Sequence, residues 1–257
     1  MVGGGPAGIT AAITAAERGM QVELWEKKNE LGGLLLAAGG PRFKKDVMDY
    51  VHYLVNKLYR SNVKIRLMKE ATPEDVLAGN FDKVIIATGS SPVMPPIKGI
   101  DQPFVVGAND LLTNKKGYGK KVVVLGGGLV GCETACHCAE RAEEVTIIEA
   151  LPEILMTVKH SKNNDQSLRQ LMKDCDVKTI TNAKVAEFKD NKVYYEKDGK
   201  QEVIEADTVA IAAGYRSNTS LYEAINGKVD CAVVGDAEVP DNILRAVHHG
   251  FHAVRCI

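Results

Sequence analysis

Residues 122–131 read VVVLGGGLVG, an apolar run that feeds directly into a glycine turn with the spacing Gly126-x-Gly128-x-x-Gly131. A strand, turn and helix start of this kind is how a parallel sheet cradles a dinucleotide. The first glycine makes the turn, the second lets the backbone approach a pyrophosphate, the third allows close helix-strand packing, and the helix N-terminus offers free N–H groups. A lone GxGxxG is weak evidence, but the context follows here. A helical segment at 129–141 leads into Val145-Thr146-Ile147-Ile148, which ends on Glu149, eighteen residues after Gly131. A carboxylate at that strand end is placed to accept hydrogen bonds from both ribose hydroxyls of an adenosine.

The chain contains the pattern twice. Gly3-x-Gly5-x-x-Gly8 opens the sequence, a helix-like 7–18 follows, and Val22-Glu23-Leu24-Trp25 ends on Glu26; each position lies 123 before its counterpart. Two copies sharing strand, helix and terminal acid at one offset exclude chance glycine turns.

At 257 residues the chain is long enough for two units of about 100 to 150 residues, each with its own core. Together the patterns predict an α/β protein of two Rossmann-like units. A formal net charge of −1 with mixed signs offers no basic field for nucleic acid and no polybasic arm for a membrane. No apolar run reaches the roughly 18 to 20 residues of a membrane span, and the Ala-rich start lacks a basic leader region, so a cytoplasmic location is expected. Six cysteines, Cys132, Cys136, Cys138, Cys175, Cys231 and Cys256, contain no CxxC or CxxxxC redox pair. They read as buried core positions rather than metal ligands, with Cys132 and Cys136 on one helix face and Cys138 pointing elsewhere.

Only Met1 and Val2 precede the first glycine turn, where about five strand residues are expected; the sequence therefore reads as a piece of a longer polypeptide with its first strand truncated. Pro6 suits a first helical turn. After Glu26 and Lys27 comes Leu31-Gly32-Gly33-Leu34, whose small pair leaves room for a bulky group against the backbone; Lys27 and Lys28 would also suit a 2′-phosphate. Residues 43–59 read as a helix and 63–67 as a strand, and Thr72 caps another helix. The strand ending in Ala87-Thr88-Gly89 recurs as 209–214, ending in Gly214, and Pro92, Pro95 and Pro96 mark a crossover. Three short strands at about 183–188, 192–196 and 201–204 form a small β-meander, with Asp198-Gly199 as a type I′ hairpin signal. The strand at 231–236 ends in Gly235-Asp236, and Asp241-Asn242 starts a helix at Ile243 whose positive end would favour an electron-rich ring or anion. His248, His249 and His252 on that helix read as packing or surface residues.

GGGPAG at 3–8, Glu26, LGG at 31–33, ATG at 87–89, GGGLVGCE at 126–133, Glu149 and GDA at 235–237, in this order, resemble the flavoprotein reductases with two dinucleotide-binding domains. More narrowly, GGGLVGCETA, FKKD at 43–46 and the ending GDAEVPDNILRAVHHGF resemble the C-terminal half of the NADH:flavin oxidoreductases, the group of 2,4-dienoyl-CoA reductase, 2-enoate reductase and trimethylamine dehydrogenase. The resemblance covers essentially the whole chain.

It implies an FAD-binding domain at 1–110 and 227–257, with an NADH-binding domain at 111–226 inserted in it. Gly3, Gly5 and Gly8 would hold the FAD pyrophosphate, with Pro6 and Ala7 in the same turn. Glu26 and Lys27 would meet its adenosine; Gly32, Gly33, Leu34, Ala87, Thr88 and Gly89 would lie along the flavin. Gly235 and Asp236 would reach the ribityl chain, and the Asn242-Ile243 helix start would face the flavin ring. Gly126, Gly128, Leu129, Val130 and Gly131 would take the NADH pyrophosphate, with Glu149 on the ribose and Gly214 closing that site; a carboxylate at 149 disfavours a 2′-phosphate, so NADH is expected over NADPH. The resemblance further implies hydride transfer from NADH to flavin N5 and onward electron flow through a 4Fe-4S cluster to FMN in an N-terminal barrel absent from this chain. No catalytic nucleophile, acid-base pair or metal ligand is expected here. A second reading remains, that of a nucleotide-binding scaffold holding ADP without redox chemistry, as in trimethylamine-dehydrogenase-like relatives.

Overall fold

The computed structural model describes residues 1–156, 162–255 and 257. The chain divides into two compact units. The first comprises Met1–Leu36, Asp46–Ser91 and Tyr215–Ile257, and the second Ala37–Lys45 and Pro92–Gly214.

In the first unit a parallel sheet runs in the order Lys64–Arg66, Glu23–Trp25, Val2, Val84–Ile86, Cys231–Val233. Short as it is, the first strand occupies the centre. Val2 bridges both Trp25 and Ile86, donating its N–H to the Ile85 carbonyl at 2.9 Å and accepting from Ala87 at 2.8 Å. Both sheet faces are covered, which explains the continuous apolar runs. Ile85 faces a core with Ile9, Ile13, Leu24, Leu58 and Val254. Its neighbour Ile86 points the other way, to Trp25, Val76, Leu221 and Ile225. Each fully buried Ile or Leu of this kind contributes about 1.5–3 kcal/mol. Thr72 caps Pro73–Ala78 by accepting the Asp75 N–H at 3.1 Å, as expected. The helices Pro6–Glu17 and Ile243–Arg255 pack closely because residue 250 is glycine: a Cβ there would stand 2.2 Å from the Ala7 carbonyl oxygen.

The second unit repeats the plan in a five-stranded parallel sheet, ordered Lys178–Ile180, Glu144–Ile148, Lys121–Leu125, Thr208–Ile211, Val105–Gly107. In both sheets the strand feeding the glycine turn is central, and the order reverses beside it, the switch point at which open α/β sheets bind ligands. The meander appears as the antiparallel strands Ala183–Lys189, Lys192–Lys197 and Lys200–Glu205. Asp198 and Gly199 both adopt positive φ (50° and 72°), as a type I′ turn requires.

The compact units divide after Ser91 and after Gly214, where the sequence reading set domain limits at 110 and 226. The reason is pairing: Val105–Gly107 is the edge strand beside Thr208–Ile211, while Tyr215–Ser217 pairs with Ser90–Pro92. Cys138 is as fully buried as Cys132 and Cys136, in keeping with the core reading, whereas Cys175 and Cys231, also expected in the core, are only partly buried. The helix Leu129–Ala139 is covered on several sides, by the sheet and by the helices Ala108–Leu112 and Lys162–Asp174. Burial pushes all three thiols up to about 12. Cys256 lies outside the described residues.

Candidate dinucleotide sites

The two glycine turns have the same internal logic, and it separates packing glycines from exposed ones. Gly3 has φ +107°, and a Cβ on it would meet the Ala87 carbonyl oxygen at 2.2 Å; Gly126 has φ +106°, with the Ala212 oxygen at 2.5 Å. A Cβ on Gly8 would strike the Gly3 oxygen at 1.9 Å, and one on Gly131 the Gly126 oxygen at 1.9 Å. Those four are demanded by the protein itself. The middle glycines are not: a Cβ on Gly5 meets nothing nearer than the Gly33 Cα at 4.0 Å, and one on Gly128 meets nothing within 4 Å. The space there suits the close approach of a phosphate to the backbone.

Neither helix that follows has its first N–H groups capped, Pro6 at the start of the first contributing none. Pro6–Glu17 and Leu129–Ala139 have glycine at the N-cap, no side-chain cap and no acid in the first turn. The helix Pro73–Ala78 differs, with its Thr72 cap and Glu74 and Asp75 in the first turn. A helix start without competing acceptors is what an anion needs. The donors, the open cradle and the lack of carboxylates in those turns fit a dinucleotide pyrophosphate in each unit.

Above each turn stands the strand-end glutamate. Gly4 donates its N–H to Glu26 Oε2 at 2.7 Å and Lys28 to Oε1 at 2.8 Å. Gly127 donates to Glu149 Oε2 at 2.5 Å and Leu151 to Oε1 at 2.8 Å. Every carboxylate oxygen thus holds one backbone donor and keeps further lone-pair capacity for a ligand hydroxyl. Sequence reasoning missed Gly4 and Gly127 as the donors, although the 22-residue interval recurring at the 123 offset was a signal.

In the first unit the structure gathers most of the expected residues around one turn. Gly32 donates to the Gly4 carbonyl at 2.8 Å, and Gly33, with φ +59°, would place a Cβ 2.9 Å from the Gly5 Cα. Gly89 has φ +67° with open space beside it, as does Gly214 (φ +94°) in the second unit. Lys27 is exposed. Gly235, at φ +62°, would place a Cβ 2.8 Å from that of Ala7, bringing the Asp236 turn against the first helix. Asp236 is half-buried; desolvation holds its carboxyl above the usual range, opposed by the Ser90 hydroxyl at 3.1 Å and the Asp241 N–H at 3.4 Å. Asn242 caps Ile243–Arg255, accepting the Arg245 N–H at 2.9 Å. Of the three histidines, His249 Nδ1 pairs with Glu238 at 3.1 Å and His248 stacks edge-on with His252.

No position in the sequence advertised Ser90, Ser217 or Asn218. Ser217 donates its hydroxyl to the Asp236 carbonyl at 2.7 Å, and Asn218 Nδ2 donates to the Thr88 carbonyl at 3.0 Å. In the second unit an ion pair, Lys44 Nζ to Glu133 Oε1 at 2.6 Å, anchors residue 44 to the helix after the glycine turn.

Among the described residues no group of three or more His, Cys, Asp and Glu side chains is placed to hold a metal ion, and no helix is long and apolar enough to cross a membrane.

The chain is similar to several known proteins. The NADH oxidase of Thermoanaerobacter brockii is 40% identical over 258 residues, covering 98% of this chain and 39% of that protein. The cinnamate reductase of Clostridium sporogenes is 35% identical, covering 100% of this chain and 39% of that protein. The solved structure of 2-naphthoyl-CoA reductase in complex with 2-naphthoyl-CoA matches with a TM-score of 0.92 at 32% identity, covering 100% of this chain and 39% of that one. The chain thus spans about two fifths of the length of these relatives. They bear out the resemblance to NADH:flavin oxidoreductases read from the motifs. A family model described as pyridine nucleotide-disulphide oxidoreductase matches residues 1–243 and implies FAD and NAD(P) as cofactors. On its fold, its duplicated sites and this match, the chain is an oxidoreductase domain of the pyridine nucleotide-disulphide oxidoreductase family.

Proposed function

We propose that this chain is the NADH-to-FAD reductase module of a larger NADH:flavin oxidoreductase, with FAD in the first unit and NADH in the second. The observation that carries the reading is the duplicated cradle: an open middle glycine, an uncapped helix start and a strand-end glutamate in each unit.

When bound, the cofactor pair supplies the redox chemistry, a two-electron donor and its acceptor. The chain's residues bind and orient. The N–H groups after Gly5 and Gly128 meet the pyrophosphates, and Glu26 and Glu149 accept from the ribose hydroxyls while their backbone bonds keep them in place. Glu149 disfavours a 2′-phosphate by like charge, and Ala150 offers no compensating cation, which supports NADH over NADPH. Asp236 accepts from the ribityl chain, and the Asn242-capped helix start places partial positive charge toward the flavin ring. Gly32, Gly33, Leu34, Thr88 and Gly89 shape the flavin side of the first unit, and Gly214 that of the second.

Neither the cysteine spacing nor the described cysteines of the helix Leu129–Ala139 support dithiol chemistry. The sequence has no CxxC or CxxxxC pair, and Cys132, Cys136 and Cys138 are buried thiols with almost no thiolate at neutral pH. The acceptor is therefore assigned outside it, to an FMN and 4Fe-4S barrel domain; the relatives' greater length supports a further domain. A cytoplasmic setting belongs to the same reading.

The test is anaerobic. The purified chain is reconstituted with FAD, freed of excess flavin and titrated with NADH while the flavin absorbance band is followed. Bleaching at one NADH per flavin is expected; retained flavin that NADH leaves oxidised, or ADP binding without flavin retention, overturns the proposal.

A further inference from the structure

The strands at which the chain leaves and re-enters the first unit, Ser90–Pro92 and Tyr215–Ser217, converge on Asp236. Ser90 is buried and points its hydroxyl at Asp236 Oδ2, 3.1 Å away. Ser217, on the partner strand, holds the backbone of the same residue through its carbonyl oxygen at 2.7 Å. Asn218 locks the two strands to each other. Its N–H donates to the Gly89 carbonyl at 2.9 Å and its Nδ2 to the Thr88 carbonyl at 3.0 Å. Its Oδ1 accepts from Ser91 at 2.8 Å, and its own carbonyl accepts the Thr88 hydroxyl at 2.8 Å. One Asp236 oxygen is held by Ser90 and the other lies near the Asp241 N–H.

We infer that Ser90 is a positioning residue for flavin binding, holding the Asp236 carboxylate in the orientation that receives the ribityl chain, with Ser217 and Asn218 fixing the frame in which it does so. The inference rests on the assignment of Asp236 to the flavin. Two donors on one carboxylate restrict its orientation and favour its ionised, acceptor-only form; without the Ser90 hydroxyl the group stays half-buried with one donor fewer and takes up a proton more readily. The other charged groups around this turn are partnered among themselves: Asp241 with Arg245, and Glu238 with Arg245 and His249. They are common to every variant below, so differences between variants report Asp236.

The experiment measures the FAD dissociation constant of the full chain between pH 5 and 8, by fluorescence of released flavin, for the wild type, Ser90→Ala, Ser90→Thr, Asp236→Asn and the Ser90→Ala/Asp236→Asn double variant. The thermal midpoint of each flavin-free protein is recorded alongside. Ser90→Ala is expected to weaken FAD about tenfold, the usual effect of removing a hydrogen bond to a charged group, and to move the pH at which affinity is lost upward. Ser90→Thr, which keeps the hydroxyl, restores both. In the Asp236→Asn background Ser90→Ala has no further effect. Wild-type affinity and pH profile in Ser90→Ala, or an equal loss in both backgrounds, overturns the inference while the flavin assignment stands. Wild-type affinity in Asp236→Asn overturns the assignment of Asp236 itself, and the inference with it.

Discussion

Gly4 gives its backbone N–H to Glu26 Oε2 at 2.7 Å, across 22 residues of chain, and this bond fixes the strand-end acid over the first glycine turn. Gly127 and Glu149 repeat it at 2.5 Å. The acid of this motif is therefore a part of the turn's own construction before it is a ligand group. Removing it disturbs the turn itself.

Substituting Glu149→Ala leaves the Gly127 and Leu151 N–H groups without their acceptor. The expected cost is about 1–3 kcal/mol in denaturant unfolding. The variant's preference for NADH over NADPH, read as the ratio of kcat/KM values, should also narrow. An unchanged ratio would remove Glu149 from nucleotide selection.

The glycines of each turn divide into two classes that stability and binding measurements separate. Gly8→Ala and Gly131→Ala force a methyl against a carbonyl oxygen at 1.9 Å and should lose about 1–3 kcal/mol or more of stability in the cofactor-free protein. Gly5→Ala and Gly128→Ala have room, so stability should change by no more than about 1 kcal/mol. Their dinucleotide affinity, by contrast, should fall at least about tenfold as the methyl occupies the phosphate's approach. Calorimetric unfolding and equilibrium dialysis give the two readings.

Gly250→Ala should destabilise the first unit through the Pro6–Glu17 and Ile243–Arg255 contact, because the new Cβ would stand 2.2 Å from the Ala7 oxygen. A loss of about 1–3 kcal/mol in urea unfolding is expected. A neutral result would mean that the two helices separate without cost.

Asp236 gives a pH dependence opposite in sign to that of the surface ion pairs. Burial raises its carboxyl above 3.8, so the folded chain binds this proton more tightly than the unfolded chain does. Its contribution to stability therefore falls as pH rises through the folded value and recovers below it. Asp236→Asn removes this burden: the thermal midpoint of the flavin-free protein should rise at neutral pH, with the gain shrinking as the pH is lowered. Glu144, held below its ordinary value by Lys178, works in the other direction, but on an exposed pair that screening leaves nearly silent. A gain in Asp236→Asn that does not depend on pH would refute the account.

Cys132, Cys136 and Cys138 should resist alkylation in the native protein at pH 8, since burial pushes their thiols up to about 12 and leaves roughly one in ten thousand as thiolate. Peptide mapping after iodoacetamide treatment should find label at Cys175, which is partly exposed, well before these three.

Much of the architecture was legible because it is local. The glycine spacing, the uncapped helix starts, the strand-end acids and the Asp198-Gly199 turn are each set by a few neighbouring residues whose backbone options are narrow. The 123-residue offset turned those local signals into a prediction of two units. What stayed hidden is long-range. The edge strand Val105–Gly107 has only three residues and becomes a strand by pairing with Thr208–Ile211, so the unit boundary at Ser91 could not be read from composition. Cys175 and Cys231 were expected in the core and are only partly buried, because the burial of a single cysteine depends on which distant elements cover it. The Ser90, Ser217 and Asn218 bonds join residues 19 to 146 positions apart, and serine and asparagine carry no pattern that announces a distant partner.

The sequence by itself determined that the chain builds two dinucleotide cradles, since φ freedom, the absence of a Cβ and helix-start chemistry belong to the residues themselves. Only the tertiary structure decided which glycines serve packing and which have open space beside them, which donors fix the two glutamates, and how Asp236 is held. Each of those depends on atoms brought together by folding from distant parts of the chain.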